Sequence, residues 1–279
     1  MTDRYLMCAP DHFDVSYVIN PWMQGNVAAS CNDLAWRQWD ALADAISGVA
    51  SVERLSGEAG VPDMVFTANA GLVLQNIVVL SHFRHAERQP EEAHFEKWFS
   101  EHGFRVVRLA PHLAFEGAGD ALLDRGQDLL WMGHGHRTSV ECAPELAGLL
   151  DIEVEPLRLV DERFYHLDTC LCPLEGGYLM YYPQAFDEAS RARIAARVPA
   201  ARRIEVAEAD ALDFACNAVN SGRHVFLNRA SGELAHALAA RGFTLRQMPL
   251  GEFMKAGGAA KCLTLKLNEL RRLKVRTAA

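Results

Sequence analysis

The sequence predicts an α/β fold in which one domain, residues 1–279, forms a five-bladed propeller. Three observations predict this class. The order strand, strand, helix, strand occurs four times along the chain, the repeats recur about every 50 residues, and the two ends supply the parts of a fifth unit. Joining both ends in one unit would close a ring, which also removes exposed sheet edges. We therefore expect five pseudo-symmetric ββαβ units.

The first unit, residues 63–110, shows every part of the repeat. The segments DMVFTANAGLVL and IVVL predict two strands, because they are rich in β-branched and alternating apolar residues. The segment PEEAHFEKWFSEHG predicts a helix, since Pro90 with two following glutamates is typical of a helix start and Gly103 of a helix stop. The segment FRVVRLA predicts the third strand.

The later units repeat this order. In the second, LAFEGAGDALLDRG, QDLLWMGHG, APELAGLL and IEVEPLRLV predict strand, strand, helix and strand. The third consists of FYHLDTCLCPLEGG, YLMYYP, DEASRARIAARV and RRIEVAE, and the fourth of DFACNAVNSGR, HVFLN, ELAHALAARG and FTLRQMPL, with Gly242 as a helix stop. For the fifth, AGGAAKCLTLKLN predicts one or two strands, and the N-terminal part predicts strand YLMCAP, helix NDLAWRQWDALADAIS and strand VASVERLS.

An open doubly wound α/β sheet is the alternative fold. A parallel sheet requires single strands that alternate with helices, whereas two strands precede each helix here. No glycine-rich phosphate-binding loop follows a predicted strand either. The propeller is the better prediction.

Composition excludes several classes of partner. The net charge is −8 without a block of lysine or arginine, so we do not expect a nucleic-acid-binding surface. No signal peptide is visible, and the apolar segment GLVLQNIVVL is interrupted by Gln75 and Asn76, so we expect no membrane association. Seven scattered cysteines are typical of reduced thiols, which predicts a cytoplasmic protein.

Each unit carries a polar, chemically capable side chain at the same place, in the segment predicted as its first strand. These residues are Asn69, Glu116, His166, Asn217 with Asn220, and Cys262, at spacings of 47, 50, 51 and 45 residues counted through Asn217. Burying such groups costs free energy unless they are paired or used. Equivalent positions of a closed ring converge on its axis, so we expect these side chains to meet in one cavity.

This set of side chains has a chemical interpretation. Cys262 becomes a nucleophile when a neighbour favours its thiolate, and His166 can accept or deliver protons. Glu116 would orient the imidazole or hold a cationic substrate. Asp168 is expected on the same face as His166, because side chains alternate along a strand. Asp120 follows Glu116 within a glycine-rich bend.

Structural explanations compete with each of these assignments. A free cysteine most often behaves as a small buried apolar residue, and an isolated histidine or glutamate in a strand is usually a satisfied structural group. The cysteines interpreted in this way are Cys8, Cys31, Cys142 and Cys216. What favours a functional interpretation of the others is their convergence at one position of the repeat.

Two clusters invite comparison with metal sites. Cys170 and Cys172 lie near His166, and His134 and His136 flank a glycine. Zinc sites normally combine such a pair with a second pair elsewhere, which neither cluster has. We therefore predict no metal and no other cofactor.

At these positions the chain resembles the guanidino-group-modifying superfamily, which has the pentein fold. FEGAGD resembles its F-E-G-G-D box, YHLDT its H-x-D strand and GGAAKCLTL its C-terminal G-G-x-x-C segment. The resemblance implies that Cys262 attacks a guanidinium carbon, that His166 is the general acid and base, and that Glu116 and Asp168 hold the guanidinium. Asp120 is expected among the substrate-binding residues.

A finer resemblance concerns the substrate. Arginine deiminases and dimethylarginine dimethylaminohydrolases usually carry aspartate where this chain has Asn69, whereas PDHFDVSYVINPWM and FTANAG resemble the arginine dihydrolases. Asn20 and Asn69 match asparagines of that site, and Arg88 and Arg137 match positions that hold the substrate carboxylate. From the residues alone, Asn20 as a turn residue, Arg88 as a solvated helix-start residue and Arg137 as a surface strand end stay open.

We therefore predict a hydrolase that converts arginine to ornithine, ammonia and carbon dioxide through a covalent thiouronium on Cys262. The alternatives are a dimethylarginine dimethylaminohydrolase or arginine deiminase that yields citrulline, an amidinotransferase, and a non-catalytic pentein binding module. The expected partner is a small guanidino compound, and a homo-oligomer is left open.

Overall fold

A computed structural model describes residues 2–270, and its strands form five three-stranded sheets. In each sheet the inner strand pairs antiparallel with the middle strand, and the middle strand pairs in parallel with the outer strand. The first two sheets are β3 (Gly71–Leu74), β4 (Ile77–Leu80), β5 (Arg105–Val107), and β6 (Ala121–Leu123), β7 (Leu129–His134), β8 (Glu153–Arg158). The next two are β9 (Leu171–Leu174), β10 (Tyr178–Tyr181), β11 (Arg203–Glu205), and β12 (Val219–Ser221), β13 (His224–Leu227), β14 (Thr244–Gln247).

The fifth sheet joins the two ends of the described chain, as the sequence predicted. It consists of β15 (Leu265–Lys266), β1 (Arg4–Cys8) and β2 (Ser51–Leu55). Tyr5 faces Lys266 and Leu6 faces Leu265 in the antiparallel pair. The predicted extent of the domain includes Met1 and residues 271–279, which lie outside the described residues, and it stays a prediction.

The sheets follow one another around a ring. Strand β6 contacts β9, β9 contacts β12, and the turn at residues 67–70 contacts both β15 and the turn at residues 117–119. The backbone N–H of Lys261 donates to the carbonyl of Asn217, which links the fourth unit to the fifth. These contacts confirm the five-bladed α/β propeller.

Seven helices occur within residues 2–270: α1 (Asn32–Ser47), α2 (Glu91–Glu101), α3 (Cys142–Leu150), α4 (Glu188–Arg197), α5 (Glu208–Leu212), α6 (Gly232–Ala239) and α7 (Gly251–Met254). Five of them match the predicted helices, whereas the short α5 and α7 were not predicted. Asp187 caps α4 by accepting from the backbone N–H of Ser190 at 2.8 Å, and Gly242 follows α6 with φ +80°, as expected of a helix stop.

Each blade buries its helix against its own strands. Phe95 and Phe99 of α2 join Val78 and Leu80 of β4 in one apolar cluster. Full burial of such side chains contributes about 1.5–3 kcal/mol each, so the packing of α2 on β4 stabilises this blade. None of the helices within residues 2–270 combines the length and apolar character needed to cross a bilayer.

Candidate active site

Of the polar residues that recur at the repeat position, Asn69, Glu116 and His166 lie in or just before short turns, whereas Asn220 lies in strand β12 and does not line the cavity described below. Asn69 belongs to a single turn of 3-10 helix at Thr67–Ala70, and Glu116 and His166 immediately precede the turns at Gly117–Gly119 and Leu167–Thr169. The expectation of strands there is wrong because the chain enters each inner strand only after the turn. The inference that Asp168 shares a face with His166 through strand alternation loses its basis for the same reason.

Close contact between neighbouring turns explains the glycine in FEGAGD. Gly117 has φ +60°, and a Cβ on it would lie 2.8 Å from the backbone nitrogen of Gly71. Only glycine combines this conformation with this approach. The turn that follows Glu116 is thereby packed against the turn that carries Asn69.

The turns converge on a small cavity whose water-accessible volume is about 10 Å³, room for about one water molecule. The described residues that line it are Ile19, Asn20, Asp63, Phe66, Asn69, Arg88, Arg137, Tyr165, His166, Ala256, Gly257, Gly258 and Cys262. Six of the nine predicted site residues are in this set. Glu116 and Asp168 lie directly behind it, in contact with His166 and Cys262 respectively.

Cys262 is only 3% exposed, and its sulfur lies between an amide and a carboxylate. The Nδ2 of Asn217 is 3.1 Å from Sγ, and the two carboxylate oxygens of Asp168 are 3.7 and 3.6 Å from it. Burial, and after it the Asp168 carboxyl, raise the pKa of the Cys262 thiol well above its usual range. This shift favours the protonated, neutral thiol.

His166 is paired with Glu116 in the predicted way. Its Nε2 is 2.6 Å from Oε2 of Glu116, and Nη1 of Arg137 donates to the same oxygen at 3.2 Å. Burial alone would raise the pKa of Glu116, but Arg137 and His166 together hold it well below its ordinary value. The backbone N–H of Arg84 occupies Oε1 at 3.2 Å. Glu116 is therefore an ionised partner that orients the imidazole.

Two aspartates support this arrangement from behind. Burial raises the pKa of Asp168 to about 7, against the opposing charge of Lys261. Asp120 lies outside the described lining of the cavity, and its Oδ1 accepts from the backbone N–H of Leu167 at 2.9 Å. Burial likewise raises its pKa to about 6. Asp120 holds the segment next to His166, and the geometry gives no support to the expected contact with substrate.

Asn69 and Arg88 are joined in the cavity wall. Nη1 of Arg88 donates to Oδ1 of Asn69 at 2.9 Å, and Nδ2 of Asn69 donates to the backbone carbonyl of Glu116 at 3.1 Å. Arg88 also makes a bidentate pair with Glu91 at 2.7 and 2.8 Å and donates to the carbonyl of Asp63 at 3.2 Å. At 4% exposure Arg88 is not the solvated helix-start residue considered above.

Arg137 and Asn20 close the opposite side. Arg137 is buried, so it is not a surface strand end, and its guanidinium lies 4.5 Å from the centre of the Tyr165 ring. It makes two side-chain hydrogen bonds, to Glu116 and to the carbonyl of Ile19. Asn20 is both a turn residue and a lining residue: its Oδ1 caps the turn at Pro21–Met23, and its Nδ2 donates to Tyr165 Oη at 3.3 Å.

Sequence reasoning missed Asp63, which is buried in the cavity wall. Its Oδ2 accepts from the hydroxyl of Tyr17 at 2.9 Å, whereas its Oδ1 has no hydrogen-bond partner among the described residues. Burial raises its pKa, although the charge of Arg88 opposes the shift. No equivalent residue recurs in the other units, so the repeat gave no signal for it.

The cysteine and metal assignments can also be compared with the structure. Cys31 is exposed, which contradicts its interpretation as a small buried residue, because it lies in the loop just before α1. Cys8, Cys142 and Cys216 are buried as expected. Within residues 2–270 no group of three or more histidine, cysteine, aspartate or glutamate side chains is arranged to hold a metal ion.

A family model and several known proteins are similar to this chain. The model of the family N,N dimethylarginine dimethylhydrolase, eukaryotic, matches residues 22–269. The bifunctional arginine dihydrolase/ornithine cyclodeaminases AgrE of Nostoc sp. and ArgZ of Synechocystis sp. are 55% and 56% identical to this chain over 266 residues. Each match covers 95% of this chain and 38% of the relative, so the chain spans well under half the length of these two proteins.

One solved structure is similar over nearly the whole of both chains. It is the N-terminal domain of ArgZ, in an asparagine-to-serine variant covalently bound to a reaction intermediate. The identity is 55%, the TM-score is 0.95, and the match covers 96% of this chain and 98% of that chain.

Proposed function

This chain belongs to the N,N dimethylarginine dimethylhydrolase family, and we propose that it is an arginine dihydrolase. The reaction would convert one arginine and two waters to ornithine, two ammonia and one carbon dioxide. The observation that carries the proposal is that Cys262, His166 and an amide, Asn69, line one enclosed cavity. Similarity to the two arginine dihydrolases supports the choice of substrate.

Arginine would bind with its two ends in differently charged parts of the cavity. The guanidinium would lie at Cys262, where the Asp168 carboxylate is available behind the sulfur. The substrate carboxylate would pair with Arg137, which makes two side-chain hydrogen bonds to protein acceptors where Arg88 makes four. A guanidinium has five N–H donors, so Arg137 retains donors for a bidentate pair.

Asp63 would bind the α-ammonium group of the substrate. Its Oδ1 is buried in the wall and has no hydrogen-bond partner among the described residues, which makes it an acceptor in need of a donor. An ammonium supplies that donor together with a positive charge. The carboxylate of the amino acid would thus bind Arg137, and its ammonium group would bind Asp63.

The first hydrolytic cycle uses the thiol and the imidazole. The Cys262 thiol passes its proton to His166 as the sulfur adds to the guanidinium carbon. The bond to one terminal nitrogen then breaks, and His166 delivers that proton to the ammonia that leaves. His166 then removes a proton from water, which attacks the thiouronium carbon, and the thiolate leaves. This cycle yields citrulline, with Glu116 stabilising the imidazolium throughout.

The second cycle acts on the neutral ureido group of citrulline. The thiolate adds to the ureido carbon, the remaining terminal nitrogen leaves as ammonia, and a second water releases a carbamate that breaks down to ornithine and carbon dioxide. Asn69 still has one donor and one acceptor position beyond its bonds to Glu116 and Arg88. An amide can therefore bind both the ureido oxygen and the ureido nitrogen, whereas an ionised carboxylate can only accept.

The raised pKa of the thiol sets a condition on the first step. A neutral thiol is a poor nucleophile, and a cation placed within a few ångström of it favours the thiolate. The substrate guanidinium supplies that cation in a site with little water. We therefore expect the nucleophile to ionise chiefly when a guanidinium compound is bound.

Product analysis tests the proposal. The protein is incubated with arginine, and ornithine, citrulline, ammonia and carbon dioxide are quantified together. We expect two ammonia per ornithine with little free citrulline. Citrulline that accumulates without ornithine would refute the second cycle.

The family match favours one second candidate, hydrolysis of dimethylarginine to citrulline and dimethylamine. Parallel assays with arginine and with asymmetric dimethylarginine separate the two candidates. Higher kcat/KM for the methylated substrate would reverse our assignment.

A further inference from the structure

The side-chain amide of Asn217 has all four of its hydrogen-bonding positions occupied. Its Oδ1 accepts from the backbone N–H groups of Ala259 and Cys262, both at 3.1 Å. Its Nδ2 donates to the backbone carbonyl of Asp168 at 3.0 Å and to the sulfur of Cys262 at 3.1 Å. The residue is fully buried, so no water competes for these bonds.

This network fixes which way the amide points. A backbone N–H can only donate, so the group that faces Ala259 N and Cys262 N must be the carbonyl oxygen. The NH₂ group is then forced to face Asp168 O and the sulfur. The nucleophile therefore has a permanent N–H donor on one side and the Asp168 carboxylate, 3.6 Å away, on the other.

A donor aimed at the sulfur suits the thiolate better than the thiol. Neutral sulfur accepts hydrogen bonds weakly, whereas a charged acceptor makes bonds about twice as strong as neutral ones. The bond thus strengthens as the proton leaves. It acts on the reacting atom itself, without contacting the substrate.

We propose that Asn217 is a further residue of the catalytic machinery, which anchors the segment 259–262 through its carbonyl and stabilises the Cys262 thiolate through its NH₂. The inference rests on the proposed role of Cys262 as nucleophile. It does not depend on which guanidino compound is the substrate.

The test compares Asn217→Ala and Asn217→Asp with Asn220→Ala. Asn220 is a suitable control because it lies in the same blade as Asn217, and its amide makes three bonds to backbone groups of Glu175, Gly222 and His224 and none to the thiol. The rate of alkylation of Cys262 by iodoacetamide is followed against pH by mass spectrometry of the peptide that contains it. No turnover of arginine is required.

We expect the midpoint of the Cys262 alkylation profile to rise by about one to two pH units in Asn217→Ala, as for loss of a hydrogen bond to a charged group. At pH values below the midpoint, alkylation would slow about tenfold or more. Asn217→Asp keeps the two acceptor bonds but, when ionised, offers no donor, so its alkylation midpoint should also rise. This variant decides the test if Asn217→Ala does not fold. Asn220→Ala should leave the midpoint in place.

Two results would overturn the inference. One is an unshifted midpoint in the folded Asn217 variants, and the other is an equal shift in Asn220→Ala, which would point to a general loosening of the blade. Failure of the proposed function looks different. In that case arginine gives no ornithine, while the alkylation profiles still report on the thiolate.

Discussion

The same five blades form two cavities of opposite character. The turns enclose the cavity that we propose to be catalytic, here called the catalytic cavity, whose wall includes Asp63, Arg88 and Arg137. The inner strands that follow these turns line a second, larger cavity with a water-accessible volume of about 50 Å³, here called the axial cavity, whose walls are mainly apolar. Cys262 faces the first cavity and its neighbour Lys261 the second. The residues that we propose to react line the smaller of the two cavities.

The contrast follows from local backbone structure. The turns precede the inner strands, and turn residues from several blades line the same cavity at one end of the propeller. In the inner strands, side chains such as Leu72 and Leu122 pack along the axis. A cation there, Arg125, is neutralised by a bidentate pair with Glu269 at 2.5 and 2.6 Å. We therefore expect substitutions in the walls of the axial cavity to change the unfolding free energy more than they change turnover.

The largest difference between the cavities is expected from their cysteines. Cys262→Ala should lower kcat by at least about 10⁴-fold, because the covalent intermediate cannot form. Cys172→Ala removes an equally buried thiol from the wall of the axial cavity and should cost about 1 kcal/mol of unfolding free energy with kcat unchanged. Turnover and thermal unfolding of both variants decide the comparison. Activity retained in Cys262→Ala would remove the nucleophile.

Loss of the charge behind the imidazole should have the next largest effect. Glu116→Gln is expected to lower kcat about 10²–10⁴-fold, because His166 loses its ionised partner. The control is Glu92→Gln at the half-exposed pair with His82, where Nδ1 and Oε1 are 3.2 Å apart. Steady-state kinetics should show no change in the control. Equal losses in both variants would contradict the role of Glu116.

The two arginines of the catalytic cavity should respond differently to lysine. Arg137→Lys should raise KM for arginine about 10–100-fold, since an ammonium cannot form a bidentate pair with the substrate carboxylate. Arg88→Lys should mainly lower the unfolding free energy, by about 1–3 kcal/mol, because Glu91 loses its bidentate partner in the buried pair. Measuring KM and denaturant midpoints for both variants tests the assignment. A larger KM effect at Arg88 would reverse it.

Asp168, behind the catalytic cavity, and Glu269, in the wall of the axial cavity, should make the unfolding free energy depend on pH in opposite directions. Burial raises the pKa of Asp168 to about 7, so the folded state binds more protons and stability from this group falls as pH rises from about 4 to 7. Despite burial, Arg125 lowers the pKa of Glu269 to about 2, so its contribution is present above about pH 4.5 and is lost as pH falls towards 2.

Denaturation of Asp168→Asn and Glu269→Gln across pH 2–8 measures these contributions. In Asp168→Asn, the decrease in unfolding free energy towards neutral pH should be smaller, by up to about 4 kcal/mol. In Glu269→Gln, the decrease in unfolding free energy in acid should be smaller, by up to about 3 kcal/mol. For each variant, the difference in unfolding free energy from the unmodified protein is plotted against pH. If the two differences change with pH in the same direction, the two cavities do not differ in this way.

The sequence predicted much of this architecture because its signals are local or periodic. Pro90 and Gly103 delimit α2, and the spacing of Glu116, His166 and Cys262 predicted that they would meet. The pattern predicts strands where the structure has turns, because a segment such as TANAGLVL has the same apolar pattern whether it forms one strand or a turn followed by a strand. Its 3-10 turn is fixed by contacts with other blades.

Other features depend on partners that no pattern reveals. Asp63 has no counterpart in the other units, and the carboxylate of Asp120 was assigned to substrate only because it is close to Glu116 in sequence. Its bond to the backbone of Leu167 joins residues 47 positions apart. Such pairings arise from tertiary structure and cannot be inferred from one unit of the repeat.

The pairing of β1 with β15 has a consequence for the order of assembly. Residues 4–8 must wait for residues 265–266 before their antiparallel pair can form, so during synthesis on the ribosome the sheet next to Cys262 is completed after the other four. Four blades can assemble beforehand without a competent thiol among them. If Cys262 is the nucleophile proposed above, the thiol reaches its final surroundings only when this fifth sheet closes the ring.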